Sequence, residues 1–544
     1  MTEPADTAAS PGGAAPEYRK RRRSNKPIIL AIVAVAVVAI VAVALLLVNR
    51  EGGSAGADGE ANGGGPGGSA PGTELTVGLL LEPTNLDIRN TAGVALDQIL
   101  IDNVYQGLVG LKSGTVDEFV PVLAEALPEV SDDALTYTFS LREGVRFHSG
   151  AELTAADVVD SLTDAEKGFS LRAALGADFA VSAPDAGTVA IRLESPNSQL
   201  LWHLANRPGL VFETGDTGSP ESTANGTGPY RLDDWKQGDS IAFSANPDYW
   251  GEPATLGRVI WRYIPDPNSA VNAVLDGDLD VLAPVDSSLV AQLEDEAGFE
   301  LVRADGTDVF TLAFNSAKAP LDDPRVRTAL SKAIDTDAII AAFYGDGKPL
   351  GGPITELEPG YEDLTAVNAY DPEGARALLA EAGISGLSLT VTMPNFYPTD
   401  AINQVVTQFA AVGVTLEVES VEFATWLGDV YTAPADGGPR AFDLSYVDHA
   451  EARDFANYAN PGYYFGYDSA EVQRLYAESI AATDADRAAE LLEEAAGIVA
   501  SDAPAKWLIN YTPTNAVGTN VSGFPSSNTN SRINLQGVTL QQDR

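Results

Sequence analysis

An α/β protein of two or three domains is predicted by three observations. The 544 residues exceed what one ordinary core accommodates. At 309–343 (VFTLAFNSAKAPLDDPRVRTALSKAIDTDAIIAAF) a six-residue apolar run suited to a buried strand feeds a punctuated helix. Between 387 and 421 a strand, a helix and a second strand follow one another, the order of a parallel pair with a right-handed crossover. The helix after the apolar run is the clearest: Asp323 caps it and Pro324 occupies the first turn, where a missing N–H costs nothing. Val326, Ala329, Leu330, Ala333 and Ile334 then share one face.

From the amino terminus, residues 1–18 are small and polar. The stretch 19–26 (RKRRRSNK) holds six positive charges and is followed at 27–48 by 22 residues without a charged or polar side chain. At about 1.5 Å per residue such a helix spans a bilayer core of roughly 30 Å. The basic cluster belongs on the cytoplasmic side, so the remainder is exported. A cleaved signal peptide is the alternative, with Ala55-Gly56-Ala57 available for cleavage; both readings place the globular part outside. Residues 51–73 form a Gly/Ala/Ser linker, a coil about 25 Å from end to end.

The body opens with a strand at 74–81 and a helix expected over 95–109, where Tyr105 faces either a cleft or the core. In 141–162 (LREGVRFHSGAELTAADVVDSL) a Gly turn precedes a helix that Thr154 and Asp157 can cap reciprocally; His148 lies in the turn and reads as structural. Residues 230–235 and 240–245 alternate like a hairpin. Asp276, Asp278 and Asp280 mimic the start of a calcium loop, but Val281 and Ser287 occupy the places where glycine and glutamate are needed. Asp371 and Pro372 start a helix that Gly383 stops, helices are expected at 469–481 and 484–499, and 504–511 (PAKWLINY) reads as a strand.

Composition narrows the function classes. The chain is 45% hydrophobic and 8% aromatic, as globular proteins are, and carries 33 basic against 77 acidic residues. Seven basic and three acidic residues fall in the first 50, leaving 26 and 74, a net −48, for the rest. Such a surface repels phosphate backbones, so no nucleic-acid partner is expected. The absence of cysteine removes disulfides, thiolate metal sites, a cysteine nucleophile and a lipidated-cysteine anchor. There is no H-E-x-x-H, S-x-x-K or G-x-x-x-x-G-K-[ST], and no motif links the histidines at 148, 203 and 449; no catalytic residue, metal or cofactor is expected.

Several of these stretches resemble, in order, the family 5 extracellular solute-binding proteins of ABC importers, which bind dipeptides, oligopeptides or nickel. They are EPTNLD…NVYQGLVG, the F-H-x-G segment, the long block 225–280, LAFN…PLDDPRVRTALSKAID, AYDPEGARALLAEAG and the final strand. The resemblance covers nearly all of the exported body. It implies a two-lobed periplasmic-binding-protein-like fold (type II, cluster C-like) with an extra inserted domain, preceded here by one transmembrane helix. The expected layout is a basic cytoplasmic segment at 1–26, the anchor at 27–48, the linker at 49–73, lobe I from 74–110, 226–311 and 496–544, the inserted domain at 111–225, and lobe II at 312–495. It further implies a monomer that captures peptides between closing lobes and delivers them to permease subunits served by a separate ATPase.

Carried over by resemblance, Asp448 in YVDHAEARDF pairs with a peptide's amino terminus. Arg453 would meet a ligand carboxylate, His449 keeps a nickel chelate open, Trp426 and Tyr446 are pocket walls, and Asn85 and Asn315 approach the cleft from the first lobe and the hinge. A nickel chelate, a sugar or another non-peptide solute on the same scaffold is the first alternative, and an extracellular hydrolase the second.

Overall fold

In the computed structural model the described residues are 74–541, apart from 92, 165–166, 435–437, 439 and 529–531. The expected anchor, signal and linker lie outside them. Among the described residues no helix is long and apolar enough to cross a membrane.

The strands that build two sheets are, in chain order, β1 (Glu74–Leu79), β2 (Tyr230–Lys236), β3 (Ser240–Ala245), β4 (Arg258–Tyr263), β5 (Val281–Leu282), β6 (Phe299–Arg303), β7 (Val309–Phe314), β8 (Gly347–Lys348), β9 (Leu387–Pro394), β10 (Val414–Val421), β11 (Leu444–His449), β12 (Ala505–Tyr511) and β13 (Thr514–Gly518). One sheet has the order β6-β13-β5-β1-β4-β3-β2, the other β8-β12-β7-β11-β9-β10.

All six residues of β7 are buried, because both faces of its sheet are covered. Phe310, Leu312 and Phe314 join one core with Val326, Ala329 and Leu330 of helix Pro324–Lys332 and with Ala333 and Ile334 just after it, the predicted inward face. Val309 and Ala313 join a second core with helix Ala485–Asp502. Asp323 does cap the first of these helices, accepting from the Arg325 N–H. β9 and β10 are parallel in continuous register, with helix Asp400–Ala411 between them as predicted.

The expected helix at 95–109 is cut short: it runs Val94–Leu100, and the chain continues to a short strand, Val109–Leu111. Asn103 ends it, donating from Nδ2 to the carbonyls of Ile99 and Ile533 at 3.1 and 2.7 Å. Asp102 adopts φ +67°, which turns the backbone out of the helix. Tyr105 is a core residue, with its ring 5.0 Å from Phe212 and its hydroxyl oxygen accepting from the Asn225 N–H. A four-stranded sheet between Glu129 and Leu193 carries a core of its own beside helix Ala155–Thr163. The capping box of Thr154 and Asp157 at that helix is complete. His148 lies 3.0 Å from the Gly228 carbonyl through Nε2, and burial pushes its pKa down to about 4, so it serves as a neutral turn fastener.

The sheets correct the expected lobe boundary. Residues 505–511, assigned from sequence to the return into the first lobe, run inside the second sheet between β8 and β7; residues 309–311 also belong there. Only after Thr512-Pro513 does β13 enter the first sheet. The lobes are therefore joined by 304–308 and 512–513. Hydrogen bonds knit these connectors: Ala304 N to Pro513 O, and Tyr511 N to Asp308 O, each 2.8 Å. Asp346, buried in the second lobe, bridges them, its Oδ1 accepting from Thr514 Oγ1 at 3.0 Å and Arg303 Nη2 at 2.9 Å. Asp346→Ala should lower stability by about 1–3 kcal/mol, chiefly through the buried Thr514 donor left behind, measured as a lower urea midpoint at unchanged slope.

Candidate ligand-binding site

β9, β10 and β11 are mutually parallel, so their carboxyl ends share one edge of the second sheet. Antiparallel β7 begins at that edge, directly after the connector from the first lobe. In open α/β sheets this is where ligands bind, since side chains from several strand ends converge there.

Asp448 is the penultimate residue of β11, opposite Phe310 of β7. Its N–H donates to the Tyr397 hydroxyl oxygen at 3.3 Å. Its Oδ1 is buried and has no hydrogen-bond partner. Burial pushes the carboxyl up to about 7, with His449 working against that shift and Glu451 adding to it. Asp308, buried in the connector, is likewise held well above the carboxylate range by burial and by Asp448 and Glu451.

Tyr446 precedes Asp448 by two residues and so shares its face of the strand. Its ring stacks on Phe310 at 5.5 Å and meets Tyr397 edge-on at 5.9 Å. Its buried hydroxyl oxygen also lacks a partner. Trp426 is 4% exposed; its Nε1–H donates to Ser445 Oγ at 2.9 Å, and its ring stacks on Phe423 at 5.7 Å. It is thus a support behind exposed rings rather than an open wall.

The remaining sequence candidates have other duties. His449 contacts Asp454 Oδ2 through Nδ1 and the Tyr464 hydroxyl through Nε2, both at 2.9 Å, so neither ring nitrogen is presented to a metal. Burial pulls its pKa down and Asp454 more than restores it, leaving it raised. Among the described residues no group of three histidine or acidic side chains is placed to hold a metal ion. The Arg453 N–H donates to Glu358 Oε1, and its guanidinium lies 5.1 Å from the Trp202 ring and 5.8 Å from that of Phe119. It forms the contact between the second lobe and residues 116–202 instead of pairing with Asp448.

Asn315 lies at the opposite end of β7 from the hinge, about 20 Å from Val309 at 3.3 Å per residue. Its Nδ2 donates to the carbonyls of Arg440 and Phe442 at 3.0 and 2.9 Å, which makes it a fastener within the second lobe. Asn85 accepts from Asp87 N and Thr91 Oγ1. It lines an open depression of about 640 Å³ with Ser219, Glu221 and Trp235, and no residue of the second lobe joins it there.

Sequence reasoning passed over Asp308, Phe396, Tyr397, Phe423 and Glu451. The available signal was position: Asp308 immediately precedes the most buried strand, while Phe396-Tyr397 and Phe423 follow the ends of β9 and β10.

Residues 118–452 match the model of the family described as bacterial extracellular solute-binding proteins, family 5 Middle. The chain is similar to Heme-binding protein A of Haemophilus influenzae, 28% identical over 447 residues that cover 74% of this chain and 80% of that protein. It is similar to the Dipeptide-binding protein of Escherichia coli, 28% identical over 482 residues covering 80% and 88%. Its fold is similar to that of the ABC transporter-associated periplasmic binding protein DppA from Helicobacter pylori in complex with peptide STSA, with a TM-score of 0.74 at 21% identity over 86% of this chain and 98% of that one. Two sheets joined by paired connectors, with a carboxylate at the hinge-side edge of the second, are the frame of a substrate-binding component of an ABC importer, and this chain belongs to family 5 of the bacterial extracellular solute-binding proteins.

Proposed function

We propose that this protein captures peptides by their amino terminus and that Asp448 is the anchor. The observation that carries this reading is the Asp448 carboxylate at the hinge edge, part-buried, with its buried Oδ1 unpartnered. A buried carboxylate is costly until it meets a cation that also donates hydrogen bonds, and an ammonium does both. Tyr397, Tyr446 and Phe310 keep water from the pair. A peptide held there and touching the first lobe stabilises the closed arrangement by its differential affinity for it. The closed form then delivers it to the permease. The chain has no phosphate-binding loop of its own, so the ATPase is a separate polypeptide. The apolar stretch 27–48 keeps this monomer tethered outside the membrane.

Calorimetry with free and N-acetylated tripeptides tests the anchor. Acetylation, or Asp448→Ala with a free peptide, should weaken binding at least thirtyfold, about 2 kcal/mol or more. Equal affinity for free and acetylated peptides rejects the ion pair. Tight binding of heme, nickel–histidine or an oligosaccharide in place of peptides rejects the ligand class.

The raised carboxyl gives a pH dependence of definite sign. Below about 7 Asp448 is protonated and offers an ammonium no charge, so affinity should improve roughly tenfold from pH 5.5 to 7. The unliganded protein should move the opposite way: a raised carboxyl adds stability at low pH, lost as pH rises through about 7. Asp448→Asn should flatten the affinity profile and reduce the slope of the stability profile, to which Asp308 and His449 also contribute, measured by calorimetry and thermal unfolding.

Fractionation tests the tether. The full chain should sediment with membranes at full length, and removal of residues 1–50 should leave it soluble. Recovery of a shortened chain in the medium would assign the segment to a cleaved signal.

A further inference from the structure

Phe396, Phe423, Leu427 and Tyr431 are 56, 44, 36 and 46% exposed, and they lie together. The Phe396 and Phe423 rings are 5.9 Å apart, Phe423 stacks on Trp426, and Tyr431 lies 6.2 Å from Trp426. Register creates this group: Pro394 pairs with Val421, so Phe396 and Phe423 each emerge two residues past a matched strand end. The base is rigid. Trp426 is bonded to Ser445, and Arg440 Nη2 donates to the carbonyls of Tyr431 and Gly462 at 3.0 and 3.1 Å. Leu427–Tyr431 is a π-helical turn, a geometry that recurs at functional sites.

This patch is continuous with the Asp448 site. Tyr397 joins them, its ring 4.5 Å from Phe396 and its hydroxyl oxygen bonded to the Asp448 N–H. The first lobe does not cover it, although it meets the second elsewhere, through Trp202 on Arg453 and through Ser198 on Ser479. Exposed Glu451 at the same edge adds negative charge for the ligand's ammonium, and the ring faces beyond it attract aromatic and apolar groups.

We propose that Phe396 and Phe423 form a side-chain subsite that selects ligands bearing an aromatic or bulky apolar group within one residue of their ammonium. This rests on the reading of Asp448 as the ammonium anchor. Calorimetry at pH 7 with Ala-Ala-Ala, Phe-Ala-Ala, Ala-Phe-Ala and acetylated Phe-Ala-Ala tests it on the wild type and on Phe396→Ala/Phe423→Ala. Both residues are exposed, so the double variant should keep the wild-type unfolding temperature. One of the two Phe peptides should bind the wild type at least tenfold more tightly than Ala-Ala-Ala, and the double variant should reduce that ratio below twofold while still rejecting the acetylated peptide. Equal affinity for all three free peptides, with acetylation still harmful, overturns the subsite alone. Binding unchanged in the double variant but uptake lost assigns the patch to the permease and also overturns it. Failure of every free peptide to bind overturns the anchor and the subsite together.

Discussion

The pairing of β7 between β11 and β12 is the constraint on which the rest depends. A buried strand must give every N–H and C=O to its neighbours, and a slip of one residue would exchange its two faces. That register sets Phe310 opposite Asp448 and places Tyr446 on the same face. It also fixes the hinge, because both connectors leave from this pair of strands: one enters β7 and the other leaves β12. The strand that builds the second core therefore aims the carboxylate and positions the joint.

The same arrangement gathers the proposed binding residues at one edge. β9, β10 and β11 run parallel, so the residues leaving them emerge together on the hinge side: Phe396-Tyr397, Phe423 and Asp448. The opposite edge uses its polar groups internally. Asn315 binds two carbonyls there, and buried Arg327 donates to the carbonyls of Asp502, Ala503 and Leu321. A charge satisfied by the scaffold can stabilise it; a charge left unsatisfied by the scaffold is available to a ligand.

Elements with local causes were legible in the sequence. Asp323 and Pro324 announce a helix start, Thr154 and Asp157 announce another, and the strand–helix–strand run at 387–421 has one sensible handedness. Elements with distant causes were not. The helix at 95–109 stops at Leu100 because Asn103 reaches Ile533, far along the chain. PAKWLINY has the same apolar signature in either sheet, and only its pairing with β7 decides which. Asp448 came from a resemblance of motif, and its unpartnered Oδ1 is the observation that supports proposing it as the anchor. His449 was chosen for its chemistry and Asn315 for its expected place at the hinge, but neighbours already consume the polar atoms of both. The aromatic patch was invisible because Phe396 and Phe423 meet only through strand register.

In the proposed role, the energetics of Asp448 link fold and binding. Aromatic rings around it lower the local dielectric, which strengthens attraction to an ammonium and raises the cost of the carboxylate alone. These are two consequences of one burial. A more solvated carboxylate would stay charged at lower pH and burden the fold less, but it would hold its partner more weakly and spend more of the gain on displacing water. A fully buried one, bonded by the scaffold, would be inert. Asp448 lies between these limits, with its N–H fixed by Tyr397 while Oδ1 remains unpaired. Its position near a strand end makes the compromise possible: the sheet locks the backbone, and the side chain lies on the face it shares with Tyr446 and Phe310.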